Sequence, residues 1–288
     1  MSNAATSPSS AVLLASYPKS GNTWIRCLLT AWINGGEMEE LGRLTAPAML
    51  SIRQQFDDYT GVASADLRLD QIDRLRPQFH RAVTQDMDGP LFVKLHDRFY
   101  RNRAGDPVFG GRAFRGVVHI VRHPCAVAAS YAPHMGRTID ETIAVMANEE
   151  AMLNWRPDAI DMRLPQRIGS WSSHCASWQD QDEIPRLTLR YEDLLREPEA
   201  RLANLLEFAG IDPDPDRVAM AVEACRFDKL QTLEEDRGFH ERPGATPFFR
   251  RGRADGWRDE LCEMQIERIC RDHATMMARL GYDRREAP

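Results

Sequence analysis

Lysine is nearly missing from this chain. Of 37 basic residues only Lys19, Lys94 and Lys229 are lysine, and the rest are arginine. Where a planar guanidinium serves almost everywhere, a retained ammonium marks a place that needs a compact point charge. Paired cysteines are missing too. Six cysteines (27, 125, 175, 225, 262 and 270) are scattered without CxxC spacing, which argues against a disulfide framework and fits reduced thiols in a cytoplasmic protein. No run of 18 or more apolar residues exists, so no transmembrane helix is expected. A basic excess is also absent: the net charge of −6 excludes a global electrostatic footprint for nucleic acid. Residues 1–10 are small and polar, with neither the basic nor the apolar region of a signal peptide. They are expected to be a disordered segment, with Ser2-Asn3-Ala4 in the style of a cloning scar. No Gly-Lys dipeptide occurs, which removes the G-x-x-x-x-G-K-[ST] loop of nucleotide triphosphatases, and no H-E-x-x-H spacing suggests a metal.

What remains is a 288-residue chain, 43% apolar and 28% charged, long enough for a sizeable core without disulfides. Short apolar runs alternate with helical patterns. Residues 11–16, 91–95, 117–121 and 186–190 read as strands. Helices are expected at about 23–33, 66–85, 124–131, 138–155, 169–181, 198–209, 214–224, 226–235 and 258–280. That alternation predicts one α/β domain over residues 11–283, with a central parallel sheet flanked by helices.

The segment Tyr17-Pro-Lys-Ser-Gly-Asn-Thr-Trp24 lies between the first strand and the first helix. Such a strand–loop–helix turn is where α/β sheets hold phosphates, because free N–H groups and the helix dipole favour an anion there. Gly21 would let the backbone approach the anion, Asn22 is placed to cap the helix, and Ser20, Asn22 and Thr23 offer polar donors. A polar capped turn is the bland alternative. One of only three lysines, Lys19, sits in the loop and favours a P-loop-like anion site. By the two-residue period of a strand, Lys94 and His96 share a face at the end of the second strand, where an imidazole can act as a base near neutral pH. His119, inside the third strand, reads as a core histidine, and His123 as a loop residue.

Ser16-Tyr-Pro-Lys-Ser-Gly-Asn-Thr-Trp24 resembles the phosphosulfate loop of sulfotransferases that use 3′-phosphoadenosine 5′-phosphosulfate (PAPS), with Asn22 where the usual form has threonine. The resemblance continues in order. Val121-Arg-His-Pro-Cys-Ala-Val-Ala-Ala-Ser-Tyr131 is similar to the 3′-phosphate segment, which implies phosphate-binding roles for Arg122 and Ser130. Leu189-Arg-Tyr-Glu-Asp-Leu194 and Cys225-Arg-Phe227 are similar to adenine-side segments and imply that Trp24, Tyr191 and Phe227 form flat walls for the base. Phe248-Phe-Arg-Arg-Gly252 resembles the late Arg-Lys-Gly motif, so Arg250, Arg251 and Gly252 are implied to hold the nucleotide. Lys94-Leu-His96 resembles the Lys-x-His of the catalytic strand. Three departures stand out. Cys225 replaces a common threonine, Asp255-Gly256 inverts the usual Gly-Asp, and Arg258–Glu267 lacks the Thr-Val core of a known dimerisation motif, so no oligomeric state carries over.

The resemblance implies PAPS as co-substrate, no metal, and a small-molecule hydroxyl or, less favoured, amine acceptor, with neither nucleic acid nor membrane as partner. In that scheme His96 takes the acceptor proton while Lys19, Lys94 and the loop N–H groups stabilise charge. A kinase or ATPase would need Gly-Lys-[ST]. A non-enzymatic nucleotide sensor could dispense with His96, and a membrane-anchored carbohydrate sulfotransferase would need an anchor. The segments 37–90 and 132–168 should shape the acceptor pocket. Phe56, Tyr59, Phe99, Tyr100, His134 and Met135 are its candidate lining, and equally candidate core.

Overall fold

The computed structural model describes residues 11–46, 49–85, 91–111, 113–156, 158–242 and 246–283; the expected disordered segment 1–10 lies outside them. Four parallel strands form the central sheet: β1 (Val12–Ser16), β2 (Phe92–Leu95), β3 (Gly116–Val121) and β6 (Arg186–Arg190), in the order β2-β1-β3-β6. Val12 pairs with Phe92 on one side and with Gly116 on the other, and Val117 pairs with Arg186. A short antiparallel pair, β4 (Met152–Leu153) and β5 (Gln166–Arg167), stands apart from it.

Both faces of the sheet are covered, as its near-continuous apolar strands require. Val12, Leu14, Phe92, Val118 and Ile120 pack under α1 (Asn22–Ile33), α8 (Pro198–Phe208) and α9 (Pro215–Ala224). Leu13, Ala15, Val93, Leu95 and Val117 face the other way, onto Phe56 of α2 (Arg53–Thr60), Phe79 of α3 (Leu69–Gln85) and Trp178 of α6 (Trp171–Asp180). A third cluster joins α4 (Pro124–Met135), α5 (Ile139–Met146) and α6 to α11 (Glu263–Asp272) and α12 (Ala274–Arg279). The helices α7 (Tyr191–Arg196) and α10 (Phe227–Arg237) complete the set. None of the six cysteines is in a disulfide, and no helix among the described residues is long and apolar enough to cross a membrane.

Two helix expectations are corrected. The stretch 138–155 is helical only to Met146. Asn148 then turns the chain and Asn154 takes a left-handed φ of 55°, so the remainder forms β4 and its turn. The stretch 258–280 is broken twice, at Cys262 and at His273. The buried His273 ring accepts a non-helical φ of −119° while its Nδ1 meets Ser172 Oγ at 2.9 Å.

The order of the strands positions everything that follows. The chain leaves β1 toward β2 on one side and β3 on the other, and ligands of open α/β sheets bind at such a reversal, beyond the strand carboxyl ends. The loop 17–21 follows β1, His96 follows β2, Arg122 follows β3 and Tyr191 follows β6.

Candidate active site

These strand ends open into a cleft of about 580 Å³. Of the residues expected in the site, Lys19, Gly21, Asn22, Thr23, Trp24, Lys94, His96, Arg122, Ser130, Tyr191, Phe227, Arg250, Arg251 and Gly252 all line it. Ser20 does not. Its hydroxyl is buried beneath the loop and has no hydrogen-bond partner among the described residues.

The loop is held in a conformation that costs energy. Lys19 has φ +66° and Gly21 φ +105°. For a lysine that region costs about 1–2 kcal/mol, and it persists only where the surroundings impose it. Arg122 does so in part, donating from Nη1 to the Lys19 carbonyl at 3.1 Å. Gly21 is required less by an anion than by a ring: a Cβ there would lie 2.5 Å from Tyr191 Cδ2. Gly252, also at positive φ, is packed in the same way against the Phe227 ring. The expectation that Asn22 caps α1 is corrected. Gly21 is the N-cap, and the buried Asn22 amide turns back to donate to Leu14 O at 2.8 Å and Ser16 Oγ at 3.2 Å. The helix therefore has no side-chain cap, and its first-turn N–H groups keep the anion-favouring character of an uncapped N-terminus.

His96 has one defined tautomer. Its Nδ1 is 2.8 Å from the Ser16 carbonyl, which can only accept, so Nδ1 carries the proton and Nε2 keeps its lone pair. Burial, and then the Lys94 charge, push the imidazole down from 6.5 to about 3, so it is neutral at physiological pH. Its backbone N–H donates to Gln166 Oε1 at 3.3 Å. Behind it the next residue, Asp97, is buried and paired with Arg76 at 3.3 Å, and accepts the Arg167 N–H at 2.7 Å. Arg167 in turn meets Asp73 at 2.8 Å. This network locks the end of β2 to β5, and so holds His96 against the hairpin.

Burial, and then the Arg122 charge, bring the Lys19 ammonium down from 10.5 to about 7. It lies 3.7 Å from the centroid of the Phe248 ring, a cation–π contact. Lys94 is lowered by burial and supported by Glu241, whose Oε2 accepts from its Nζ at 3.1 Å. Glu241 is the residue sequence reasoning missed. It also pairs with the buried Arg26 at 2.7 Å and accepts from Thr23 Oγ1 at 3.3 Å. Burial alone would raise its carboxyl, but Lys94 and Arg26 outweigh this and hold it well below the usual carboxylate range. Replacing it with glutamine leaves two buried cations short of their counter-charge, so Glu241→Gln is expected to lower unfolding free energy by roughly 2–4 kcal/mol. Because its native-state pKa is depressed, that stabilisation is present above pH 4.5 and fades as pH falls below it, the ordinary glutamate value. Urea titrations of parent and variant at several pH values measure both.

At the other end of the cleft the Arg122 guanidinium lies 4.2 Å from the Tyr191 ring centroid, and Tyr191 meets Trp24 edge-on with centroids 5.8 Å apart. Trp24 Nε1 donates to the Cys225 carbonyl at 3.0 Å. Arg250 holds Glu260 through two bonds, 2.8 and 3.0 Å, and donates to Ala129 O at 2.9 Å. Arg251 pairs with Asp259 at 3.0 Å and Glu260 at 3.2 Å. Both arginines thus face the cleft with carboxylates already beside them.

Of the candidate acceptor lining only His134 reaches the cleft. Phe56 is core, Phe99 and Tyr100 pack against that same core, Met135 packs on the helical cluster, and Tyr59 is exposed. His119 is fully buried, as a core histidine should be, and His123 caps α4 while stacking on Trp257. Among the described residues one group of possible metal ligands, His119, His174 and Cys175, lies fully buried outside the cleft lining.

The family model described as "Sulfotransferase domain" matches residues 9–281. The chain is 24% identical over 271 residues to flavonol 3-sulfotransferase of Flaveria bidentis, covering 90% of this chain and 78% of the relative. It is 24% identical over 287 residues to sulfotransferase 1A1 of Canis lupus familiaris, covering 94% and 84%. Retinol dehydratase in a complex with retinol and PAP (the 3′,5′-bisphosphate of adenosine) superposes with a TM-score of 0.59 at 17% identity, over 98% of this chain and 84% of the other. Mouse sulfotransferase SULT7A1 complexed with PAP gives 0.56 at 18% identity, over 93% and 83%.

Proposed function

The chain belongs to the sulfotransferase family, and from that premise we propose that it moves a sulfuryl group from PAPS to the hydroxyl of a small-molecule acceptor in the cytoplasm, with His96 as the base. The observation that carries this reading is the meeting, in one cleft, of a neutral imidazole with a free Nε2 and the two retained lysines beside an uncapped helix N-terminus. Residues of this chain fit the donor by type: an anion-favouring loop at one end, aromatic Trp24, Tyr191 and Phe227 beyond it, and Arg122 with Ser130 for a terminal phosphate. The donor, when bound, supplies an activated sulfuryl group.

His96 Nε2 accepts the acceptor's hydroxyl proton as that oxygen attacks sulfur in line. The new O–S bond forms as the bond from sulfur to the bridging phosphate oxygen breaks, and the electron pair of the broken bond stays on that oxygen. Lys19 and the first-turn N–H groups of α1 stabilise the charge that grows there. Lys94 steadies the sulfuryl oxygens. The imidazole is neutral in the free enzyme, so it needs no prior deprotonation at neutral pH.

Donor recognition has its own expected result. Calorimetry in the presence of a chelator should show PAP binding more tightly than adenosine 5′-phosphate, and equal affinities would remove the 3′-phosphate role from Arg122, Ser130 and Arg250. Arg122→Ala should weaken PAP binding by about 1.5–3 kcal/mol, the worth of a charge-assisted bond.

A further inference from the structure

The cleft around His96 carries polar side chains that the sulfuryl transfer itself does not use. Four polar side chains converge there from separate elements: His134 from the end of α4, Asn154 just past β4, Arg163 just before β5, and Gln166 on β5. Asn154 Nδ2 and His134 Nδ1 are buried atoms without a hydrogen-bond partner among the described residues. Unsatisfied buried polar atoms are costly, and where they face a cleft they point to a ligand that satisfies them. Asn154 is also held at φ +55°, a left-handed conformation that asparagine tolerates.

Arg163 adds the charge. Its backbone N–H is anchored by Asp161 Oδ1 at 2.9 Å, and its neighbour Leu164 donates to Ser51 O at 2.7 Å, so the segment is pinned on both sides. Among the described residues its guanidinium has no ion-pair partner, although it lies close enough to Lys94 for its charge to depress that ammonium. Glu241, a carboxylate lining the same cleft, is already engaged by Arg26 and Lys94. Leu153 and Phe248 supply apolar surface between these polar groups.

Resting on the sulfotransferase reading above, we propose that the acceptor is a hydroxyl compound with an apolar body that carries an anionic group, a carboxylate in the simplest case, received by Arg163 and Asn154. The hydroxyl then meets His96 while the anion sits at the hairpin. Burial, then Lys19 and Lys94, bring His134 down to about 4, so it is neutral and contributes a hydrogen bond rather than charge.

The test uses matched pairs of phenols, each pair differing only by a carboxylate on a short side arm, with PAPS as donor. In the parent, kcat/KM for the carboxylate member should exceed that of its neutral partner at least tenfold, as expected from about 1.4 kcal/mol of a charge-assisted contact. In Arg163→Ala that ratio should collapse toward one, and Arg163→Lys should restore part of it. A ratio near one in the parent, a preference for the neutral members, or a ratio that survives Arg163→Ala overturns the proposal while sulfuryl transfer itself stands. Transfer to no member of any pair overturns the proposal together with the reading on which it rests.

Discussion

His96→Ala is expected to lower turnover by about 10²–10⁴-fold, the usual worth of a positioned general base, while PAP binds nearly as before. The separation follows from geometry. His96 hangs from the end of β2, meets the end of β1 through the Ser16 carbonyl and hydroxyl at its Nδ1, and lines the cleft with Nε2 unengaged by either. The donor contacts assigned to Lys19, Arg122 and the first turn of α1 do not pass through it. The pH profile carries a second expectation. With the imidazole at about 3, His96 gives no acid limb through the neutral range, so the parent's kcat/KM for PAPS, which reports the free enzyme, should not fall between neutral and mildly acidic pH. An acid limb centred near 6.5, lost in His96→Ala, would mean an ordinary solvated histidine instead.

Lys19→Arg is expected to keep most donor affinity and lose turnover by about 10²-fold, because charge is retained but misplaced by the larger, planar head. This chain makes the substitution informative, since arginine replaces lysine almost everywhere else. Lys19 packs on the face of Phe248 from a strained left-handed backbone, with Arg122 braced on its carbonyl. A guanidinium there has to displace one of these. The sign of the pH effect is fixed by the same residue. Its ammonium is lowered to about 7, so it is charged below that pH and loses its proton above it. The parent's kcat/KM for PAPS, which reports the free enzyme, should therefore fall as pH rises through about 7. In Lys19→Arg this alkaline limb should vanish, because a guanidinium stays protonated throughout. Steady-state kinetics from pH 5.5 to 9.5, with PAP affinity in parallel, checks both; a variant as fast as the parent removes Lys19 from the chemistry.

Local features were legible in the sequence and distant ones were not. The strand–loop–helix around Lys19 could be read because its strand, glycine and helix follow one another directly along the chain, and the period of two alone placed Lys94 beside His96. The position of Arg122 at a strand end followed from the run 117–121 that stops before it, and that of Tyr191 from the alternating strand 186–190. Asn22 was misread as a cap because its side chain prefers β1, a partner that lies backward along the chain and is seen only when the loop is folded. Glu241 left no trace at all: its cations, Arg26 and Lys94, are 215 and 147 residues away, and it sits in a loop without periodicity. The Arg76–Asp97–Arg167 network was hidden for the same reason, as its members are spread over α3, the segment just past β2, and β5. The acceptor wall was hardest. A two-residue strand such as β4 is too short to show any alternation, so the sequence offered a long helix where the structure turns at Asn148 and Asn154.

Single-turnover transfer with sulfur-labelled PAPS, in excess chelator at neutral pH and with a mixture of hydroxyl acceptors, tests the central claim most directly. The account predicts that the parent moves label onto an acceptor and forms one PAP for each label transferred, whereas His96→Ala, with donor bound just as tightly, moves it at least a hundredfold more slowly, as loss of a general base requires. Label that leaves only as inorganic sulfate, or that reaches acceptor equally fast in His96→Ala, would contradict it.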